Sequence, residues 1–116
     1  MRAVLVLWDL SCGSKVSFEE LRQYLRDESI AMFGQLAGLR QKTWISNPET
    51  GRWGALYLFD EREQADALVG RIDRGRVVAL TGLVPDVQAF DLEAVVEGKH
   101  AGRDLLEAGL AREREE

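Results

Sequence analysis

A predicted β-hairpin between Gly38 and Phe59 constrains the fold of this chain more than any other segment. The segment Asn47 to Gly51 supplies the turn, because Pro fixes φ, Asn and Thr can bond nearby backbone, and Gly accepts positive φ. The strand before the turn mixes polar and apolar residues, whereas the strand from Gly54 to Phe59 is apolar on both faces. A strand with two apolar faces has to be covered on both sides. The contrast predicts an edge strand beside a central strand.

The residues before the hairpin predict one strand and one helix. The strand from Ala3 to Trp8 is also apolar on both faces. Ser17, followed three residues later by Glu20, has the spacing of a capping box and opens the helix. Apolar residues then recur at helical spacing, and Ser29 fills a gap in their stripe: Phe18, Leu21, Leu25, Met32 and Phe33.

The residues after the hairpin predict a second helix and a last strand. Asp60 and Glu63 resemble a second capping box, and the apolar spacing predicts a helix from about Glu61 to Ile72. The stretch from Arg76 to Leu83 is apolar but irregular, and it fits either a helical turn or a strand. Pro85 to Leu92 reads as the final strand, with a charged tail beyond it.

This order, β-α-β-β-α-β, predicts an α+β fold of the ferredoxin-like type with an antiparallel sheet. Its first and third strands are central, in agreement with their two apolar faces. Because two helices cover only one face of the sheet, the other apolar face requires a second layer, and an identical subunit is the simplest source. The sequence therefore predicts a homodimer.

A chain of 116 residues fits one domain. We assign residues 1–98 to the ferredoxin-like domain and residues 99–116 to an extension of it, with an additional C-terminal helix that carries apolar residues: Leu105, Leu106 and Leu110.

Charge and cysteine content indicate the class of protein. The formal net charge of -5 leaves no basic surplus to neutralise phosphates, which argues against nucleic acid as a partner. Cys12 is the single cysteine, so a reducing, cytoplasmic location is expected. The apolar run after Arg2 is too short for a signal peptide or a membrane span.

Residues spread over the predicted elements form a recognisable pattern: Gly38-Leu39 followed by Lys42-x-Trp44, then Gly54-x-x-Tyr57-Leu58-Phe59, Arg76, Gly82 and Phe90-Asp91. In this pattern the chain resembles the YdhR-type family of proposed monooxygenases, within the dimeric α/β-barrel superfamily. The resemblance covers roughly Ala3 to Val96. Gln41 stands where the family pattern has an aromatic residue, and the segment from His100 onward is additional.

The resemblance implies a dimer whose sheets pack face to face, with a cavity between sheet and helices in each subunit. The superfamily includes oxygenases that use no cofactor and act on aromatic or quinol substrates, haem-degrading proteins, and proteins of no known activity. The resemblance to the cofactor-free oxygenases among these proteins implies an oxidoreductase with no metal and no organic cofactor.

Tyr57 and Arg76 are the candidate catalytic residues. A phenol in an apolar pocket can bond a substrate oxygen, although Tyr57 could equally be a core residue bonded to a backbone carbonyl. A guanidinium can pair with a carboxylate, phenolate or enolate. Arg76 could equally be a cation near the C-terminus of the second helix, where the helix macrodipole stabilises positive charge.

Lys42 and Trp44 are the candidate substrate-binding residues. The Trp44 ring could stack on a planar substrate or cover one end of the sheet. The Lys42 ammonium could stabilise an anion, or it could protect an edge strand from pairing with other chains.

Two function hypotheses follow. One is a small monooxygenase for aromatic or quinol-like substrates, and the other is a non-catalytic homodimer that binds or senses a small ligand. No nucleotide or serine-hydrolase motif occurs, and the single histidine, His100, cannot make a His-rich metal site. A haem-degrading function would require an axial histidine on the second helix, which has none.

Overall fold

A computed structural model describes residues 1–102 of the chain. Four antiparallel strands form one sheet in the order β2-β3-β1-β4. Their bounds are β1 Arg2–Asp9, β2 Leu39–Asn47, β3 Arg52–Phe59 and β4 Asp86–Asp91. The predicted ferredoxin-like topology is confirmed, with β1 and β3 central and β2 and β4 at the edges. The predicted C-terminal helix lies outside the described residues.

Short helical segments connect the strands. They are a 3₁₀ turn Leu10–Cys12, helix α1 Phe18–Tyr24, a π-helical turn Leu25–Ser29, helix α2 Ile30–Gly34, helix α3 Arg62–Val69, a 3₁₀ turn Ile72–Arg74 and helix α4 Arg76–Thr81. The irregular stretch after Gly75 is thus helical and not a strand. Within residues 1–102, no helix is long and apolar enough to cross a membrane.

The first helical region begins at the predicted capping box and contains a π turn that the sequence analysis did not predict. The Ser17 Oγ accepts from the Glu20 N–H, and the Glu20 carboxylate accepts from the Ser17 N–H. The residues that face the sheet recur every four positions: Leu21, Leu25, Ser29 and Phe33. In a regular α-helix such a row drifts by about 40° per step. The wider π turn at Leu25–Ser29 absorbs this drift and keeps the row on the sheet.

The second predicted helix is shorter than expected and has a different cap. Its capping box joins Glu61 to Gln64, whereas Asp60 instead accepts a hydrogen bond from Arg40 at 3.2 Å. The helix ends at Val69, because Gly70 follows and the chain tightens into the 3₁₀ turn before α4.

The two faces of the sheet differ in how they are covered. Buried residues of the central strands pack under the helices: Val4, Val6, Trp8, Trp53, Ala55, Tyr57 and Phe59. On the opposite face Leu56 is 44% exposed, Ile45 41% and Phe90 47%, beside the half-buried Leu5 and Leu7. We call this opposite surface the open face; the predicted second layer would cover it.

An irregular register in the edge strand decides which of its residues face the helices. A β-bulge between Leu39 and Gln41 shifts the pairing of β2 with β3. After the bulge, Lys42 lies opposite Tyr57 and Trp44 opposite Ala55, on the helix side. Gln41 lies opposite Leu58 on the open face, so the position that departs from the family pattern is not part of the helix-side surface.

Candidate functional site

A cavity of about 490 Å³ lies between the sheet and the helices. This volume is in the range that accommodates a small organic ligand. Its apolar walls include Trp8, Trp53, Leu25, Phe33, Leu68 and Ile72. Two of the tryptophans, Trp8 and Trp53, thus line the cavity and not the open face. The Trp8 indole N–H donates to the Leu83 carbonyl at 2.9 Å, which satisfies its polar atom inside this wall.

The amine of Lys42 lies among three aromatic rings inside the cavity. Its Nζ is 3.2 Å from the ring centroid of Phe33, 4.5 Å from that of Tyr57 and 4.6 Å from that of Trp44. We call these three rings the aromatic cage. Phe33 contacts Tyr57 and Trp44 edge-on, at centroid distances of 5.7 and 6.3 Å. The cage therefore joins α2 to strands β2 and β3 around a single nitrogen.

The surroundings of Lys42 change its protonation. Burial lowers the pKa of the Lys42 amine to about 7, because the charged form loses its hydration. The ring faces act in the opposite direction, since they attract a cation. Within residues 1–102 no carboxylate pairs with this amine. Lys42 can therefore exchange a proton near neutral pH, which an ordinary lysine does not.

Tyr57 contributes a buried phenol to the same cavity. The residue is 4% exposed, and burial raises the pKa of its hydroxyl well above the ordinary value, with nearby Tyr24 adding to the rise and Arg71 opposing it. The hydroxyl forms no hydrogen bond within the described part of the chain, so the predicted alternative of a backbone carbonyl partner is wrong for residues 1–102. The phenol is a hydrogen-bond donor available to a ligand.

Tyr24 and Ser29 complete the polar lining, and the sequence analysis did not identify either as part of a site. Burial raises the pKa of Tyr24, and the charge of Glu28 adds to this rise, whereas the Ser29 hydroxyl and Arg76 oppose it. Ser29 is a buried polar residue on the π turn, a feature that often occurs at functional sites. The signal in the sequence was a serine within an apolar stripe.

Three arginines, Arg71, Arg74 and Arg76, also line the cavity, and all three side chains are solvent-accessible. We call them the arginine cluster. Arg76 is the first residue of α4, where the positive end of the helix dipole disfavours a cation. The alternative interpretation of Arg76 as a cation at a helix C-terminus is therefore wrong.

The sequence model of the family described as "Putative mono-oxygenase ydhR" matches residues 8–96. The chain belongs to the ydhR family. The match includes β2, β3, β4 and only the end of β1, Trp8 and Asp9, and it contains every residue that lines the cavity. No curated protein sequence matches the chain.

Two solved structures share the fold of this ydhR-family chain. Rv0793 from Mycobacterium tuberculosis is 15% identical, with a TM-score of 0.59, and the similarity covers 83% of this chain and 98% of that one. NE2512, a protein of unknown function from Nitrosomonas europaea, is 14% identical, with a TM-score of 0.55 and coverage of 87% and 95%. At these identities the likeness concerns the fold alone.

All four candidate residues of this ydhR-family protein line the same cavity: Lys42, Trp44, Tyr57 and Arg76. Trp44 is half-buried and belongs to the aromatic cage, so it does more than cover an end of the sheet. Lys42 points inward, which contradicts the alternative in which it protects the sheet edge.

The single histidine does not contribute to this site. His100 is exposed and is not among the residues that line the cavity. Helix α3 contains no histidine. Within residues 1–102, no group of three histidine, cysteine or acidic side chains comes together as a set of metal ligands.

Proposed function

We propose that this protein is a monooxygenase that oxidises a small electron-rich aromatic substrate, such as a hydroquinone or polyphenol, without a bound cofactor. The observation that carries the proposal is the Lys42 amine, with a pKa of about 7, inside an aromatic cavity beside the Tyr57 phenol. Membership of the ydhR family supports the reaction class.

The reaction begins with loss of the phenolic proton of the substrate. The neutral Lys42 amine accepts it, which is efficient because its pKa lies near the working pH. The phenolate then donates one electron to O₂, and the resulting radical and superoxide form a carbon–oxygen bond. Cleavage of the O–O bond leaves one oxygen atom on the ring and releases the other as water. A hydroquinone and one O₂ thus give a hydroxyquinone and one water, and the substrate supplies all the electrons.

The other candidate residues have distinct roles in this proposal. Tyr57, held protonated by its raised pKa, donates a hydrogen bond to a substrate oxygen. The Lys42 ammonium and Arg76 stabilise the phenolate and the developing superoxide in a cavity with mostly apolar walls. Trp44 and Phe33 position the substrate ring by stacking and edge contacts.

We also propose that the protein acts as a homodimer joined through the open face. The apolar residues there, with Leu56 44% exposed near the centre of the sheet, form a contiguous surface that a monomer would leave in water. Packing of two such sheets face to face would bury them. We keep the cytoplasm as the proposed location, because the single cysteine, Cys12, is a free and exposed thiol.

Oxygen consumption tests the proposed reaction. The wild type should consume O₂ in the presence of at least one member of a panel of hydroquinones and polyphenols, and Tyr57→Phe and Arg76→Ala should be slower. Arg62→Gln, on the outer surface of α3, is the matched control. Absence of uptake above buffer across the panel would contradict the proposal. Binding of the same compounds without uptake would instead favour the second hypothesis, a ligand-binding dimer.

A further inference from the structure

The arginine cluster differs from every other arginine in residues 1–102. The others all pair with a carboxylate: Arg2 with Asp91, Arg22 and Arg26 with Glu19, Arg40 with Asp60, Arg52 with Asp9, and Arg62 with Asp66. Arg71, Arg74 and Arg76 form no ion pair within this part of the chain. In the described part of the chain, the arginines without a carboxylate partner are thus the ones that line the cavity.

The charge around the cavity is one-sided although the protein is acidic. The formal net charge is -5, yet the charged residues that line the cavity, among those described, are all cations: Lys42 and the arginine cluster. Asp73 lies between Arg71 and Arg74 in the sequence, and the charge of Glu28 acts on Tyr24. Both acidic residues are exposed, and neither lines the cavity. Several guanidinium groups that line one cavity without carboxylates favour an anion there.

The cluster lines the same cavity as two tyrosines, the buried Tyr57 and the half-buried Tyr24. The charge of Arg71 acts on Tyr57, and the charge of Arg76 acts on Tyr24. The exposed arginines of the cluster are therefore close enough to influence both hydroxyl groups of the cavity. An anion bound by the cluster would be near these donors, while the rest of the ligand extends toward the aromatic cage.

We infer that the ligand of this cavity carries an anionic substituent, a carboxylate or a phosphate, which Arg71, Arg74 and Arg76 bind while its aromatic ring lies against the aromatic cage. This inference rests on the proposed function for the oxidised ring, and it adds the substrate class: an aromatic acid or aromatic phosphate ester. The guanidinium groups fit both anions, since each offers paired donors to two oxygen atoms.

The test uses aromatic probes that need no turnover. Binding of 2-naphthoate, 2-naphthyl phosphate and the neutral 2-naphthamide is measured by quenching of tryptophan fluorescence and by calorimetry. The wild type should bind at least one anion about tenfold more tightly than the amide, because a charged partner strengthens each hydrogen bond. The anion that binds more tightly identifies the substituent. Because these probes are not quinols, their binding is independent of turnover. Absence of oxygen uptake on the panel of hydroquinones and polyphenols would contradict the monooxygenase and leave this inference standing.

Variants locate the effect. The triple variant Arg71→Gln, Arg74→Gln, Arg76→Gln should lose the preference for the anions and retain binding of the amide, whereas Arg62→Gln should retain both. Added salt should weaken anion binding to the wild type and leave the amide unchanged, a measurement that does not depend on any variant folding. Equal affinity of the wild type for all three probes, no binding of any of them, or a preference that survives the triple variant would overturn the inference.

Discussion

The Lys42 Nζ lies 3.2 Å from the centroid of the Phe33 ring. Lys42 is on the edge strand β2, and Phe33 is on α2, so the contact joins the sheet to the helical layer. A charged ammonium gains from the ring face but loses its hydration, and the loss of hydration is the larger effect, since the pKa falls to about 7. The protonation of Lys42 is therefore coupled to the packing of α2 against the sheet.

Lys42→Met should remove a pH dependence of stability. The pKa of Lys42 falls from 10.5 to about 7 on folding, so the unfolded chain binds an additional proton between these values. The free energy of unfolding must then rise as pH increases from about 7 toward 10.5. As pH falls back over this range the gain is lost, and little of it remains below about 7. The full difference is at most about 5 kcal/mol, and attraction to the rings reduces it.

Urea unfolding of Lys42→Met between pH 6 and 9 measures this effect, with the exposed Lys99→Met as control. The Lys42 variant should be the more stable protein near pH 6, by about 1–3 kcal/mol, and its stability should vary less with pH. A slope equal to that of the wild type would show that the amine is not buried as described.

The same amine should set the pH dependence of catalysis. If neutral Lys42 is the base, kcat/KM for an active hydroquinone rises as pH increases through about 7. The titratable group in contact with this amine is the Tyr57 phenol, which stays protonated in this range because burial raises its pKa. Lys42→Met should lose this inflection and about 100-fold or more in rate. An unchanged inflection in the variant would assign it to another group.

Tyr57→Phe should separate function from stability. The Tyr57 hydroxyl has no hydrogen-bond partner within residues 1–102, so its removal should change the free energy of unfolding by less than about 1 kcal/mol. Substrate oxidation should nevertheless fall about tenfold or more, because the hydroxyl is the proposed donor to a substrate oxygen. A large loss of stability with unchanged kcat/KM would show that the phenol serves packing alone.

Leu56→Arg should disrupt the proposed dimer. Leu56 lies on the open face of the central strand β3, where a buried guanidinium would have no partner. Analytical ultracentrifugation should find a dimer for the wild type and a monomer for the variant. Val84→Arg is the matched control, because Val84 is 73% exposed and lies outside the strands. A wild type that sediments as a monomer at micromolar concentration would contradict the dimer.

Gly54→Ala should be strongly destabilising. Gly54 is on β3, and a Cβ atom there would overlap the backbone carbonyl oxygen of Val6 on β1. Backbone in the centre of a sheet has little room to shift, so we expect a loss of more than about 2 kcal/mol by thermal or urea unfolding. Gly34→Ala, at the end of α2, meets no atom nearby and should be neutral or slightly stabilising. Equal effects of the two substitutions would contradict the close approach of β1 and β3.

Several features were predictable because they depend on residues close together in sequence. The capping box of Ser17 and Glu20 is local, and so is the turn before Gly51, which has a φ of 76°. The two apolar faces of β1 and of β3 also indicate that both faces of these strands are buried, and this pattern agrees with their central position in the sheet. The π turn was not predicted, although its cause is visible in the sequence: sheet-facing residues such as Leu25 and Ser29 recur every four positions, which a regular α-helix would rotate away from the sheet.

The sequence by itself determined the ferredoxin-like topology, since apolar patterning and turn chemistry act over a few residues, and its resemblance to the ydhR family indicated the four residues to consider. The tertiary structure alone decided what those residues do together. The bulge after Leu39 sets the face on which Lys42 lies, and the approach of α2 surrounds its amine with rings. Likewise, only the assembled fold shows that, among residues 1–102, no carboxylate pairs with the arginine cluster as carboxylates pair with the other arginines. Protonation and ion pairing depend on distances between segments that are far apart in sequence, which no local pattern specifies.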